Sequence, residues 1–490
     1  MMQELIFNVF PWETRAYIFE FGSLENLFVE WSDEANVSGN IYEGQVDSIS
    51  SSLGAAFLNI GIHKKAFLKL SDTPQALRTD RRDRDFQKSP IRVGDRIAVQ
   101  VLSDVSDIKS LRVTQEISLV GRYLVFRPRE NIELFSANSR NHNSSLRVRE
   151  KIKNCEFSDA GFILRSAYDA TRSHLVAREA VILLETWEKI ASKRKKSNIP
   201  GLLKKNVSLP LRTLRDFMKV GNSQIWVNDA ETFSSLKRFL EELVPHQSNC
   251  LKLSSGNSFE PNHKINDILG FAIDSRIELR SGGQIVIEKT EAMTTIDVNS
   301  GSSSVYGDAE SLALAVNLEA SEEIVKQFRL KNIGGLIVID FMNMREIKHR
   351  KAIREVFENE KSKDSKLGII SELSHLGLLA LSRRHTSRTL GSNFFEPCEI
   401  CKGTGKTKTA KAICFEIFGE IVGNQDYYKE KVCIVYASSL LSKILNLELN
   451  PIAREFFLSL DITIEIEEES TYKKDDYKIV ALNLNRIGGR

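Results

Sequence analysis

Between Gly282 and Asp340 the chain changes its hydrophobic period in an order that few folds accommodate. "GGQIVIEKT" and "AMTTIDVN" are short apolar segments with the two-residue repeat of strands, joined by a short turn. Ala313, Val316, Ala320, Ile324 and Phe328 then recur at helical spacing and define one apolar face. "GLIVID" follows as a short, unbroken apolar strand. The order is β-β-α-β, and a helical crossover suits parallel neighbouring strands. Both strands flanking the helix finish on an acid. Strand alternation puts Asp297 and Asn299 on one face, and the crossover predicts Asp340 at the same edge, where open α/β sheets bind ligands. Each acid read alone is equally a turn or helix cap. Two carboxylates and an amide oxygen converging at one edge repel one another unless a cation lies between them. Oxygen ligands with room for water and phosphate suit Mg²⁺ or Mn²⁺ rather than zinc.

At 490 residues the chain is too long for one ordinary core, so two to four compact units are expected. A hydrophobic content of 42% with 27% charged residues describes a soluble globular protein, and runs such as Leu336 to Ile339 fall far short of a membrane span. The N-terminus lacks the order of a secretory signal and the composition of a transit peptide. A net charge of +3 requires any nucleic-acid surface to be local. Six cysteines make no disulfide framework; Cys155, Cys250, Cys414 and Cys433 are scattered and read as buried thiols. Cys398 and Cys401 form a C-x-x-C that offers two thiolates to one metal, but structural zinc needs four ligands and there is no second such pair. Taken alone the pair is half a zinc site, a redox pair or chance.

Residues 1–37 read as a β-rich opening, and Gly39 to Ser118 as five short strands with Gly, Ser and Asp turns, a pattern that predicts a small closed barrel. Within it Phe57, Phe67 and Tyr42 alternate against Leu58, Ala66 and Ile41, which predicts three outward rings beside lysines. Such rings stack bases while cations follow the phosphates of single-stranded nucleic acid. A helical pattern from Ala170 to Ala191 ends in "SKRKKS" (192–197), read as a solvated helix end or loop with RNA contact as the alternative. Strands and helices alternate over 211–269, and a mixed segment, 409–490, follows "FEPCEICKGTGK".

The barrel with "GNIYEGQVDSISSSLGAAFLNIG", then "TTIDVNSG", "GGLIVIDFMNM" and "CEICKGTG" in that order, resembles the ribonuclease E/G family of endoribonucleases along nearly the whole chain. The resemblance implies an α+β multidomain fold. An RNase H-like subdomain (1–37 and 211–271) would be interrupted by an OB-fold RNA-binding domain of the ribosomal S-one type (38–118) and a 5′-sensor region (119–210). A DNase I-like catalytic subdomain (272–394), a zinc link (395–408) and a small C-terminal α/β dimerisation domain (409–490) would follow.

By the same resemblance Asp297 and Asp340 match magnesium ligands, and Asn299 matches the amide that orients the second acid and the attacking water. Phe57, Phe67 and Lys109 match RNA contacts, while Arg165 and Ser166, with Val125 beside them, match a 5′-monophosphate pocket. Cys398 and Cys401 match a zinc shared between two chains, with an intrachain site using Cys414 or a His as the alternative. Asn343 stands where the motif often has a second acid, and His375 where well-known members carry Arg.

The implied function is Mg²⁺-dependent cleavage of single-stranded A/U-rich RNA in rRNA and transcript processing and decay, favouring 5′-monophosphorylated substrates and leaving 5′-phosphate and 3′-hydroxyl ends. The alternative is a non-catalytic RNA-binding protein of the same fold. The partners implied are single-stranded RNA and further copies of the chain, as a homodimer or homotetramer through the zinc link, with no membrane span and no degradosome scaffold. A compact core rich in Lys, Asn and Ile without an import signal resembles plastid-encoded members of algae, which favours the chloroplast stroma; the bacterial cytoplasm is the alternative.

Overall fold

The computed structural model describes residues 3–32, 37–72, 91–103, 110–128, 161–165, 167, 173–254, 270, 272–301, 308–361, 364–385, 389–396, 398–401, 403–449 and 451–483. Lys109, Ser166 and Cys155 lie outside them. The chain forms two compact units, Met1–Phe394 and Phe395–Arg490.

Three antiparallel strands open the first unit: β1 (Gln3–Val9), β2 (Glu13–Glu20) and β3 (Ser23–Trp31). The barrel comes next: β4 (Ile41–Ser50), β5 (Ala55–Asn59), β6 (Lys65–Lys69), β7 (Arg96–Ser103) and β8 (Ser110–Thr114). These are the five strands expected from the turn spacing, and a β4–β7 pairing closes them. Ala56, Leu58, Ala66, Leu68, Val99, Val101, Leu111 and Val113 fill the interior. A three-stranded sheet follows from β9 (Leu119–Val120), β10 (Leu124–Arg127) and β11 (Gly161–Leu164).

Helix α1 (Ser173–Lys196) leads to β12 (Gly201–Lys204), which pairs with β4 at the side of the barrel. The basic run is a helix end, one of the two forms expected for it: it closes α1 and is largely solvated, with one side chain turned to the barrel. Arg194 donates from Nε to Oε2 of the buried Glu43 on β4 at 2.8 Å, which ties the helix to the barrel, while Lys193, Lys195 and Lys196 are exposed. After α2 (Leu209–Phe217), strand β13 (Ser223–Val227) pairs parallel with β1, and β14 (Leu251–Leu253) follows α3 (Ala230–Leu243). One five-stranded sheet, ordered β14-β13-β1-β2-β3, is thus built from two distant stretches of chain.

The rest of the first unit centres on a second sheet, ordered β15-β16-β17-β18-β20-β19: β15 (Arg276–Glu278), β16 (Gln284–Lys289), β17 (Thr294–Asn299), β18 (Gly335–Asp340), β19 (Leu367–Ile370) and β20 (Leu378–Arg383). Helix α4 (Ala309–Leu330) is the crossover from β17 to β18, and α5 (Ile347–Glu360) follows β18. The Asp308 side chain starts α4 by accepting the Ser311 N–H at 2.9 Å, the usual service of an N-cap acid. One face of the sheet is apolar: Ile285, Ile287, Ile296, Val298, Ile337, Ile339, Leu379 and Leu381 pack against Ala313, Val316, Ala320 and Ile324 of α4 and Ile353 and Phe357 of α5. Each Val, Ile, Leu or Phe side chain among them that is fully buried contributes roughly 1.5–3 kcal/mol.

Among its described residues the second unit has three longer helices, α6 (Ala410–Gly423), α7 (Ser439–Glu448) and α8 (Pro451–Ser459), besides the single turn Gln425–Tyr428, and a sheet ordered β22-β21-β23 from β21 (Lys431–Ala437), β22 (Ile462–Glu468) and β23 (Tyr477–Asn483). Its core includes Ile413, Cys414, Ile417, Cys433, Val435, Leu441 and Leu445.

Candidate active site and nucleic-acid interface

Strands β17 and β18 run parallel, and their register pairs Asp297 directly with Asp340. Paired residues of neighbouring parallel strands leave the same face, about 4.8 Å apart along the hydrogen-bonding direction. That face is the one without the helices: Ile296, Val298 and Ile339 are buried, whereas Asp297, Asn299 and Asp340 are exposed. The Asn299 Nδ2 donates to Asp297 Oδ2 at 2.8 Å, so the amide fixes one carboxylate rotamer. Gly301 turns the chain away two residues later, with φ at +60° and a would-be Cβ only 1.9 Å from the Gly282 carbonyl oxygen, so only glycine fits.

The helix behind the sheet holds the loops around this edge. Fully buried Asn317 of α4 donates from Nδ2 to the Met342 carbonyl at 2.8 Å and accepts the Met342 N–H at 3.1 Å, which pins the segment just after Asp340. Glu319 accepts the N–H groups of Arg280 and Ser281 in the turn before β16. Glu310 accepts the N–H groups of Arg345 and Glu346 and pairs with His349 Nδ1 at 2.9 Å, and these partners hold its carboxyl at about 2. None of these three was singled out by sequence reasoning. The one available signal was a polar residue, Asn317, beside Val316 in the apolar stripe of α4. Asn343 and His375 are both exposed near this edge, Asn343 Oδ1 lying 3.3 Å from where a Cβ on Gly377 would stand.

On the barrel, Phe57 and Phe67 are half-buried on the outward face and meet edge to face, with centroids 5.8 Å apart. They are register partners of β5 and β6, and exposed Lys65 and Lys69 flank Phe67 on its own strand. Tyr42 does not join them. It is 4% exposed and belongs to the barrel interior, its hydroxyl accepting from Asn40 Nδ2 at 3.2 Å. The alternation with Ile41 is real, but Ile41 packs into the large core outside the barrel, so the tyrosine takes the inner side.

Arg165 follows β11, and its guanidinium donates to the Gly121 carbonyl at 2.5 Å and to Asp216 Oδ1 at 2.8 Å. Asp216 also accepts from Arg215 Nε at 2.9 Å. Burial opposes its ionisation, but Arg215 and Arg165 outweigh that and leave its pKa lowered. Val125 is half-buried on β10, opposite Ile163. Beneath these residues the buried Glu179 carboxylate accepts the N–H groups of Arg122, Tyr123 and Leu124, while burial pushes its pKa up. The segment from Gly121 to Leu124 is therefore rigidly framed; Gly121 has no room for a Cβ beside that carboxylate.

Cys398 is exposed and Cys401 half-buried in one turn of the second unit. The Cys398 thiol pKa is lowered, first by the Cys401 N–H, then by the Ile400 N–H and the Cys401 thiol. Cys414 is fully buried in the core of that unit, with burial raising its pKa to about 11. Cys433 is buried as expected, but Cys250 is only half-buried. Among the described residues no cluster of three or more His, Cys, Asp or Glu side chains could hold a metal, and no helix is long and apolar enough to cross a membrane.

A model of the Ribonuclease E/G family matches residues 118–386, a stretch that holds the paired acids and Arg165. The chain belongs to the Ribonuclease E/G family. It is 31% identical over 492 residues to Ribonuclease G of Haemophilus influenzae (strain Rd), covering 98% of this chain and 99% of that protein. Ribonuclease G of Escherichia coli K12 is likewise 31% identical, over 494 residues, with 98% and 100% covered. Ribonuclease E of E. coli K12 is 28% identical over 431 residues, which is 87% of this chain but 40% of that protein. These family members are bacterial, in line with the bacterial alternative rather than the plastid expectation.

Proposed function

We propose that the chain is an endoribonuclease, a hydrolase that cuts single-stranded A/U-rich RNA with Mg²⁺ in rRNA and transcript processing and decay. The observation that carries the reading is the Asp297–Asp340 pair, side by side on parallel strands with Asn299 bonded to Asp297, in a family whose relatives bear the name ribonuclease.

The pair fits a hard cation. Both carboxylates are exposed, and among the described residues neither has a Lys, Arg or His partner to neutralise it. Mg²⁺ keeps several waters and takes one or two protein carboxylates, so two acids suffice. Asp297 and Asp340 would hold the ion, which when bound would polarise the scissile phosphate and lower the pKa of water. Asn299 holds Asp297 through Oδ2 and leaves Oδ1 for a ligand. Hydrolysis by water would leave a 5′-phosphate and a 3′-hydroxyl.

Phe57 and Phe67, with Lys109, would stack and clamp the substrate. Arg165, Ser166 and Val125 would receive a 5′-monophosphate, which has to compete with Asp216 for the Arg165 guanidinium. Cys398 and Cys401 of two copies would share one zinc, giving a homodimer or homotetramer.

The test separates cutting from binding. Asp297→Asn and Asp340→Asn should each lose Mg²⁺-dependent cleavage of an A/U-rich single strand while retaining RNA affinity, and the unsubstituted protein should cut 5′-monophosphorylated RNA faster than the triphosphate form. Full cleavage by either variant overturns the assignment of the acids.

A further inference from the structure

The register of the barrel places a third side chain in line with the two rings. Phe57 of β5 is the partner of Phe67 on β6, and Phe67 is in turn the partner of Arg112 on β8. The three side chains leave the outward face in one row across the strands, each step about 4.8 Å. Arg112 is exposed, whereas its neighbours Leu111 and Val113 are buried inside the barrel. Its direction is thus fixed by the same alternation that turns the rings outward.

We propose that Arg112 is a further RNA-binding residue, which takes the backbone phosphate of the nucleotide whose base lies on Phe67. This rests on the reading of the barrel as an RNA-binding face. A ring and a guanidinium in adjacent places of one row match the alternation of base and phosphate along a single strand. A guanidinium fork suits a phosphate with two parallel donors. The track therefore crosses the strands from β5 through β6 to β8, with Lys65 and Lys69 at its sides.

The full-length protein, without added divalent metal, is titrated with a fluorescent single-stranded oligonucleotide over a range of KCl concentrations. Arg112→Ala should weaken binding about tenfold on every sequence. It should also flatten the slope of log affinity against log salt by about 0.7, the value of one phosphate on a single strand. Arg112→Lys should restore most of the slope, and it guards against a fold defect in the alanine variant. Lost affinity with an unchanged salt slope, or unchanged affinity, overturns the proposal. Phe57→Ala and Phe67→Ala run beside it. If they weaken binding and Arg112→Ala does not, this inference fails alone; if none of the three matters, the barrel reading itself fails.

Discussion

Asp297 and Asp340 are 43 positions apart in the chain (340 minus 297) and are register partners on parallel strands. Their like charges lie on an open sheet face, opposite the apolar face that packs on α4 and α5. Such an arrangement is costly for a merely structural pair and suits a bound cation.

The amide beside the pair should matter through its donor. Asn299→Ala should lower cleavage by roughly 10–100-fold, the usual effect of losing a group that orients a metal ligand. Asn299→Asp keeps the size but cannot donate to Asp297, so it should not rescue. Rates are compared at saturating Mg²⁺, with RNA affinity measured beside them. A fully active aspartate variant would remove the positioning role.

Tyr42 and Phe57 should respond in opposite ways. Phe57→Ala should weaken single-stranded RNA binding by about 1–3 kcal/mol and leave the barrel folded. Tyr42→Ala should instead destabilise the protein by about 3–5 kcal/mol, as large-to-small changes of buried aromatics do. Urea unfolding and RNA titration on both variants decide it. Equal effects on both readouts would undo the distinction of faces.

The acid limb of stability should report on Glu310. Its carboxyl is held at about 2 instead of the ordinary 4.5, first by the Arg345 N–H, then by His349 and the Glu346 N–H. With the folded pKa depressed, the unfolded chain binds more protons in this window. The stabilisation is fully present above about pH 4.5 and is lost as pH falls toward about 2. Glu310→Gln does not titrate, so its midpoint should fall less steeply than that of the unsubstituted protein across this window. Parallel acid limbs would count against the contact.

The cysteine turn should control assembly. Replacing Cys398 and Cys401 with Ser, or chelating zinc, should shift the protein to smaller species in light scattering, and the purified protein should contain about one zinc per two chains. A metal-free protein of unchanged mass would refute the shared site.

Much of the sheet that carries the acids was legible in the sequence. The period change from strand to helix to strand predicted the crossover, and Ser300-Gly301 marked where the strand had to end. The outward direction of Phe57 and Phe67 was legible for the same reason. Tyr42 was not, because alternation says which residues share a face but not which of two cores covers it. Ile41 goes to one core and Tyr42 to the other.

The sequence by itself determined the elements and the facing of neighbours within each strand, since both follow from covalent geometry and local period. Only the tertiary structure decided the register of Asp297 against Asp340, the bidentate hold of Asn317 on Met342, the Arg165–Asp216 pair and the row from Phe57 to Arg112. These join residues far apart in the chain. Their positions depend on how α4 packs on the sheet and how the barrel closes, and no local pattern carries that information.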